Sequence, residues 1–237
     1  MMVHGNRRHT EMKNRRLLVT AMAALLMMAG CGSKPSDNTD NRTKPSETEP
    51  DDKDTAKDLG PLFERGVVDG QTYVNEFFGI RAEFSNEWVI STEEGLATMS
   101  QQTSEKLNNE TAKQSIEDGS AILDFYGQSP RSSETVNVFM EDLGIASVTA
   151  DMLIAGNTAA VKKELESQSF ENVSVEKGTA EFLGEDVPCL EISAVYAGYD
   201  FYERQVYIIN GRNVASITAA SFNNDTTQAI LDIFTKN

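Results

Sequence analysis

The sequence predicts an α+β fold, an α/β/α sandwich whose central antiparallel sheet is flanked by helices. Segments with the alternating pattern of strands follow one another with only short turns between them, and strands joined by short turns pair antiparallel. Several of these segments, residues 201–209 among them, carry apolar side chains on both faces. A sheet of this kind needs a cover on each side, and amphipathic helices can provide it.

Three segments have helical character. The first runs from Glu93 to about residue 116, with a break expected near Asn108-Asn109, and the second runs from Thr149 to about residue 166. The third runs from Asp225 to about residue 235. The second helix places five residues on one face: Leu153, Ile154, Asn157, Val161 and Leu165. The third would bury Ala229, Ile230, Ile233 and Phe234.

The remaining periodic segments are typical of strands. They cover residues 72–75, 78–84, 88–90, 121–126, 135–140, 173–176, 179–183, 187–196, 201–209 and 213–219. Asn210-Gly211 is the strongest hairpin signal in the chain. Trp88 is expected in the core.

The first strands carry a recognisable motif. Tyr73-Val74-Asn75 is followed by Phe78-Gly79-Ile80, and then by Phe84 and Trp88. This order resembles the opening of PsbP-like domains, which occur in many lipoproteins of Gram-positive bacteria, although Asn86-Glu87 stand where many members have a proline. The resemblance covers residues 66–237 in element order and implies a fold shared with a Ran-binding nuclear-import factor. It implies no single function, because that fold serves photosystem subunits and binding proteins alike.

The N-terminal residues predict a lipid anchor. Basic residues up to Arg16 precede an apolar run, Leu17–Gly30, which is shorter than the roughly 20 residues of a membrane span. The run ends in Ala-Gly-Cys31, which resembles a bacterial lipobox with Met28 in place of the usual leucine. The resemblance implies that residues 1–30 are a signal peptide and that Cys31 carries a diacylglyceryl group, often with a further chain such as palmitate. Two acyl chains suffice for stable anchoring in the lipid bilayer.

Residues 31–60 form the predicted tether, and residues 61–237 a single PsbP-like globular domain. The tether is rich in Ser, Thr, Asp, Asn, Pro and Lys, and its first large apolar residue is Leu59, so it cannot bury a core. We expect the protein at the cell membrane, lipid-anchored and exposed on the extracytoplasmic side. No motif indicates its oligomeric state.

Charge narrows the set of partners. Without residues 1–30 the chain has 16 Lys and Arg against 36 Asp and Glu, a net charge of −20. Nucleic acid is not an expected partner, because its binding rests on cationic contacts to phosphates. The acidity is typical of the solvated exterior of an exported protein, and the alternative is an acidic surface for cationic partners or Ca²⁺.

Catalytic chemistry is sparse. His4 and His9 are the only histidines, and they precede both the apolar run and Met12, which is the better translation start. The mature chain then lacks histidine, which excludes Ser-His-Asp and Cys-His catalysis and His-ligated metals. Charge at helix starts and turns explains the acidic pairs better than glycosidase chemistry does. These pairs are Glu93-Glu94, Glu117-Asp118, Glu141-Asp142 and Glu185-Asp186. No catalytic residue, cofactor or metal site is predicted.

Three further features allow two interpretations each. Cys189 lies in an apolar strand and is expected to be a buried structural thiol rather than a reactive one. Asn223-Asn224-Asp225 could coordinate Ca²⁺, although a loop ending in a helix-capping Asp is favoured. The aromatic stretch from Tyr196 to Tyr207 is expected to pack across a hairpin, with a partner-binding or sugar-stacking surface as the alternative.

The sequence therefore predicts a lipoprotein without enzymatic activity, whose domain binds an envelope protein or assists an envelope complex. The alternative is a lipoprotein that binds a small ligand or a metal ion as an accessory to uptake. A carboxylate-dependent hydrolase of wall glycan is the least favoured hypothesis.

Overall fold

The computed structural model describes residues 63–107, 110–129, 133–144 and 147–237. The predicted signal peptide, Cys31 and the whole of the predicted tether precede residue 63 and lie outside the described ranges. Within these ranges strands take 48% of the residues and helices 26%, so the architecture is mostly β. No helix in these ranges is long and apolar enough to cross a bilayer.

The larger of two antiparallel sheets has seven strands in the order β4-β5-β6-β10-β9-β8-β7. The strands are β4 (Val89–Ile90), β5 (Ala121–Ser129), β6 (Glu134–Asp142), β7 (Glu171–Phe182), β8 (Glu185–Tyr196), β9 (Tyr199–Asn210) and β10 (Asn213–Phe222). Strands β7 to β10 form successive hairpins, and Asn210 pairs with Asn213 across the predicted turn. The hairpin prediction at Asn210-Gly211 is therefore confirmed.

The smaller sheet has the order β1-β2-β3-β11. Its strands are β1 (Val67–Asp69), β2 (Thr72–Asn75), β3 (Ile80–Glu83) and β11 (Phe234–Lys236). Its inner side chains, with Phe84 and Trp88, form one core with a face of the large sheet, where the Phe84 and Phe125 rings stack with centroids 5.1 Å apart. Trp88 is buried, as predicted.

Four helices complete the described structure: α1 (Glu93–Lys106), α2 (Glu110–Glu117), α3 (Ala150–Ser167) and α4 (Thr227–Leu231). Helices α1 and α2 pack on the β5 end of the large sheet, and α3 packs on the β7–β9 end. Threonine hydroxyls cap two of them, because Thr92 accepts from Gly95 N and Thr149 accepts from Met152 N.

The prediction of an α/β/α sandwich is wrong. Alternate residues of β10 show the two faces: Val214 and Ala220 belong to the core under α3, whereas Ala215 and Ile217 belong to the core under the small sheet. Helices α1 to α3 cover one face, and the small sheet with α4 covers the other. Apolar residues on both faces of a strand indicate two covers but do not say whether each cover is a helix or a sheet.

Two segments differ from their predictions. The predicted helix from Asp225 ends as α4 at Leu231, and Phe234 instead pairs with Ala82 as part of β11. Strand β7, Glu171–Phe182, is one strand where two were predicted, over residues 173–176 and 179–183, since Gly178 stays paired with Cys189. A side chain at Gly178 would collide with Glu191, so this glycine permits close packing and does not mark a turn.

Candidate functional site

A bulge in β5 directs a carboxylate toward the small sheet. Leu123 pairs with Phe139 and Phe125 pairs with Val138, so Asp124 is an extra residue in the ladder. Asp124 and Phe125 consequently point to the same side, and the Asp124 side chain is only 1% exposed. A β-bulge commonly redirects one side chain in this way.

The Asp124 carboxylate is surrounded by hydrogen-bond donors. Its Oδ2 accepts hydrogen bonds from Gly66 N at 2.8 Å, Tyr73 OH at 2.7 Å and Asn75 Nδ2 at 3.1 Å. Arg65 Nε lies 3.5 Å from Oδ1, and its guanidinium also donates to Leu123 O. Burial, followed by the Asp124 charge, raises the pKa of Tyr73 well above its usual value, which keeps this hydroxyl a donor. We call these residues the Asp124 hub.

The hub explains the Tyr73-Val74-Asn75 motif. Alternate residues of a strand share a face, so Tyr73 and Asn75 both reach Asp124. Asn75 Oδ1 also accepts from Phe78 N at 3.0 Å and thereby holds the turn into β3. Gly66 has no room for a side chain because a Cβ there would collide with the Tyr73 ring. The motif therefore has a structural role here, joining the chain's entry into the domain to the large sheet.

Strand β1 lies beside the hub at the free edge of the small sheet. Val67 shares the outer face with its partner Val74, and an outer cleft of about 530 Å³ runs along that face past Phe77 and Arg81. Val68 lies on the opposite face, where an inner cleft of about 490 Å³ runs to Ile90, Leu96 and Asp124. We call β1 with these two clefts the edge site.

The edge site concentrates exposed apolar surface. Five large apolar residues of the described chain are notably exposed. Two of them are in β1, Val67 at 68% and Val68 at 39%. The outermost strand of the large sheet, β4, also borders the inner cleft through Ile90, whereas the exposed Val89 lines neither cleft. Such patches mark interaction surfaces more often than isolated apolar residues do.

Acidic side chains surround the edge site. Glu64, Asp69 and Glu76 line the outer cleft, and Glu93 lines the inner cleft. Among the described residues none of these four carboxylates has an ion-pair partner. Two arginines also line the clefts, but each faces a carboxylate outside this set of four: Arg65 pairs with Asp124, and Arg81 lies 3.7 Å from Glu83. The surface is therefore apolar at its centre and negative at its rim.

A second polar group lies buried beneath the helices. Asn157 of α3, Glu203 of β9 and Ser216 of β10 are each at most 2% exposed. Both polar atoms of Asn157, Glu203 Oε2 and Ser216 Oγ have no partner of hydrogen-bond geometry in the described structure. Burial raises the pKa of Tyr207 above its usual value. The Asn157 amide faces the Tyr207 hydroxyl and has a smaller effect that lowers this pKa. Burial alone raises the pKa of Glu203 to about 8. We call Asn157, Glu203 and Ser216 the polar floor.

The atoms of the polar floor are packed against their surroundings and expose no surface to solvent. The floor is therefore a place where burial costs free energy and not an open pocket. Its neighbours Gln205, Thr218 and Tyr207 are satisfied by contrast, since Gln205 Nε2 donates to Thr218 Oγ1 at 2.9 Å and Tyr207 OH donates to Gln205 Oε1.

The residues singled out in the sequence do not come together in one site. Cys31 precedes the described ranges. The four acidic pairs are dispersed over α1, the end of α2, β6 and the start of β8. No group of three or more Asp, Glu, Cys or His in the described residues is placed to hold a metal ion. Asp225 accepts hydrogen bonds from the N–H and the hydroxyl of Thr227, the first residue of α4, but the N-cap of α4 is Thr226, so the prediction of a capping Asp225 is wrong by one residue.

Cys189 and the aromatic stretch are largely core. Cys189 is fully buried, so the prediction of a buried thiol is confirmed, and burial, with a smaller contribution from Glu191, raises its pKa to about 11. The aromatic rings separate: Phe201 packs on Phe170, Tyr207 is buried beneath α3, and Tyr199 is 58% exposed. They do not form one surface.

The edge site and the Asp124 hub could not be assigned from sequence, because β1 was not predicted as a strand. An Asp inside the apolar segment 121–126 was the one available signal. Compared with models of protein families and with curated proteins, the chain matches none. The PsbP-like resemblance therefore stays a prediction.

Proposed function

We propose that this protein is a membrane-anchored lipoprotein, exposed on the extracytoplasmic side, whose domain binds an envelope protein and has no enzymatic activity of its own. The observation that supports the binding role is the edge site, where two of the five exposed large apolar residues of the described chain, Val67 and Val68, lie on one outermost strand between two clefts. The tether is predicted to end at residue 60, a few residues before β1 begins at Val67. A partner bound there would therefore lie on the side of the domain where the anchor enters.

The anchoring part of the proposal is tested by Cys31→Ser. The unchanged chain is expected to partition into the detergent phase of a Triton X-114 extract, because two acyl chains suffice for stable membrane attachment. The variant is expected in the aqueous phase. Cys189→Ser is the matched control and should partition like the unchanged chain. Detergent-phase partition of the Cys31 variant would contradict the anchor.

The binding part is tested by capture from detergent-solubilised envelope with the full acylated chain, tagged at its C-terminus. Val68→Lys places a charge in the inner cleft and is expected to abolish capture of the specific partner. Met152→Lys makes the same change at a residue that is 53% exposed on α3, above the opposite end of the large sheet, and should leave capture unchanged. Equal capture by both variants would contradict an interaction at the edge site.

The second candidate function is binding of a small ligand or a metal ion, and the polar floor is where it would act. Buried polar atoms without partners are often satisfied by a ligand or by ordered water, although the closed floor would admit a ligand only if α3 opened. A small-ligand role predicts that sugars, amines, peptides or divalent ions raise the unfolding temperature of the unchanged chain but not of Asn157→Leu. A flat response across that panel would remove this alternative.

A further inference from the structure

We propose, building on the interaction role above, that the edge site takes one extended, cationic peptide segment of a partner, which pairs with Val68 and adds a strand to the small sheet. Addition of a strand to an exposed sheet edge is a recurring mode of peptide recognition. The mode needs free backbone groups, places for alternate side chains and a reason to prefer one kind of partner.

The free backbone groups belong to Val68. A two-residue turn joins β1 to β2, so Asp69 and Thr72 exchange hydrogen bonds, and by alternation Val67 and Val74 do so as well. The N–H and C=O of Val68 therefore point away from β2. The preceding outward amide, Gly66 N–H, is already held by Asp124, so the available edge is short and centred on Val68.

The two clefts provide places for alternate side chains. Successive residues of an added strand point to opposite faces of the sheet, as Val67 and Val68 themselves do. One side chain would enter the inner cleft against Val68, Ile90 and Leu96, and the next would lie in the outer cleft against Val67 and Val74. Because a three-residue edge offers few backbone bonds, these side chains must contribute much of the affinity.

Charge favours a cationic segment. Glu64, Asp69, Glu76 and Glu93 line the clefts without ion-pair partners in the described ranges. Lys or Arg side chains in the bound strand would meet these carboxylates and leave the apolar positions for Val68 and Ile90. An acidic segment would instead face like charges on both sides of the edge.

The same charges argue against a second copy of this chain and against its own tether. Two β1 edges would bring identical carboxylates together, in a chain whose charge after residue 30 is −20. The tether, residues 31–60, has eight acidic against five basic residues and no large apolar residue before Leu59. Residues 64–66, which follow the tether, are themselves held by Asn75 and Asp124 and do not form a strand beside β1.

The test uses the full acylated chain in detergent micelles and two fluorescent octapeptides, one alternating Lys with Val and one alternating Glu with Val. Anisotropy is expected to show binding of the Lys-Val peptide and about tenfold weaker binding of the Glu-Val peptide at low salt. Absence of measurable Lys-Val binding would overturn the proposal.

Two matched pairs of variants separate strand addition from a general charge effect. Val68→Pro removes the free N–H and is expected to bind the Lys-Val peptide about fivefold more weakly than Val68→Ala, the loss of roughly one hydrogen bond. Asp69→Lys should weaken binding, whereas Asp186→Lys, the same change at the distant β7–β8 turn, should not. Equal affinity for the Lys-Val peptide within either pair of variants overturns the proposal. Circular dichroism verifies that each variant is folded.

These outcomes are distinct from failure of the proposed function. If the unchanged chain captures an envelope protein that Val68→Lys does not, while Val68→Pro and Val68→Ala bind equally, the interaction stands and strand addition falls. If Val68→Lys and Met152→Lys capture equally, the interaction at the edge site itself falls.

Discussion

Two fully buried asparagines lie on opposite sides of the large sheet, Asn75 in the small sheet and Asn157 in α3. Asn75 donates to Asp124 and to Glu64 O and accepts from Phe78 N, so each of its polar atoms has a partner. Neither polar atom of Asn157 has a partner of hydrogen-bond geometry in the described structure. At Asn75 polar contacts therefore hold the small sheet to the large one, whereas at Asn157 the packing of α3 must offset a buried polar cost. We expect α3 to open more readily than the small sheet.

The largest expected effect comes from removing the centre of the sheet-covered face. Asp124→Ala leaves Gly66 N, Tyr73 OH and Asn75 Nδ2 without their acceptor. We expect the free energy of unfolding to fall by about 4 kcal/mol, because several buried donors lose a charged acceptor at once. Urea denaturation followed by circular dichroism measures this. Asp186→Ala, at an exposed position near the start of β8, is the control, and an equal small effect of both changes would show that the hub does not stabilise this face.

The same substitution at the two asparagines should have opposite signs. Asn75→Ala removes satisfied hydrogen bonds and is expected to cost roughly 2 kcal/mol. Asn157→Ala removes a buried amide without partners and improves helix propensity, and is expected to raise stability by roughly 1 kcal/mol. Urea midpoints of the two variants give the comparison. Destabilisation by Asn157→Ala as large as that by Asn75→Ala would mean that Asn157 has a favourable contact.

A further effect, which appears only when the pH is changed, is a dependence of stability on pH that arises at Glu203. Burial raises its pKa from 4.5 to about 8, so the folded chain keeps a proton that the unfolded chain loses. The stabilisation that this proton provides is fully present below the pKa that Glu203 has in the unfolded chain. It is lost as the pH rises to the pKa of Glu203 in the folded chain, at roughly 1 kcal/mol per pH unit.

Glu203→Gln cannot ionise and isolates that contribution. The difference in unfolding free energy between the unchanged chain and Glu203→Gln is expected to shift in favour of the variant between about pH 5 and pH 8. Glu176→Gln, at an exposed position of β7, serves as the control. A difference that does not change with pH would show that the Glu203 carboxyl is solvated.

Local patterns were read well from the sequence, and long-range ones were not. The five residues predicted on one face of α3 are those that the structure buries, because helical spacing is a local property. The pairing of Phe234 as part of a strand was not predictable in this way, since its partner strand β3 lies about 150 residues earlier in the chain. Asp124 was missed for the same reason: its partners Gly66, Tyr73 and Asn75 precede it by 49 to 58 residues. The edge site follows from which strands are outermost, and that depends on the whole topology.

Hydrogen–deuterium exchange of the full acylated chain, with and without the Lys-Val octapeptide, tests most directly whether the edge site is the binding surface. It reports on both faces of the large sheet in a single experiment. The account predicts that the peptide slows exchange around β1, centred on the Val68 amide, and leaves exchange in α3 unchanged. Slower exchange in α3 with no change in β1 would contradict it and would assign binding to the helix-covered face.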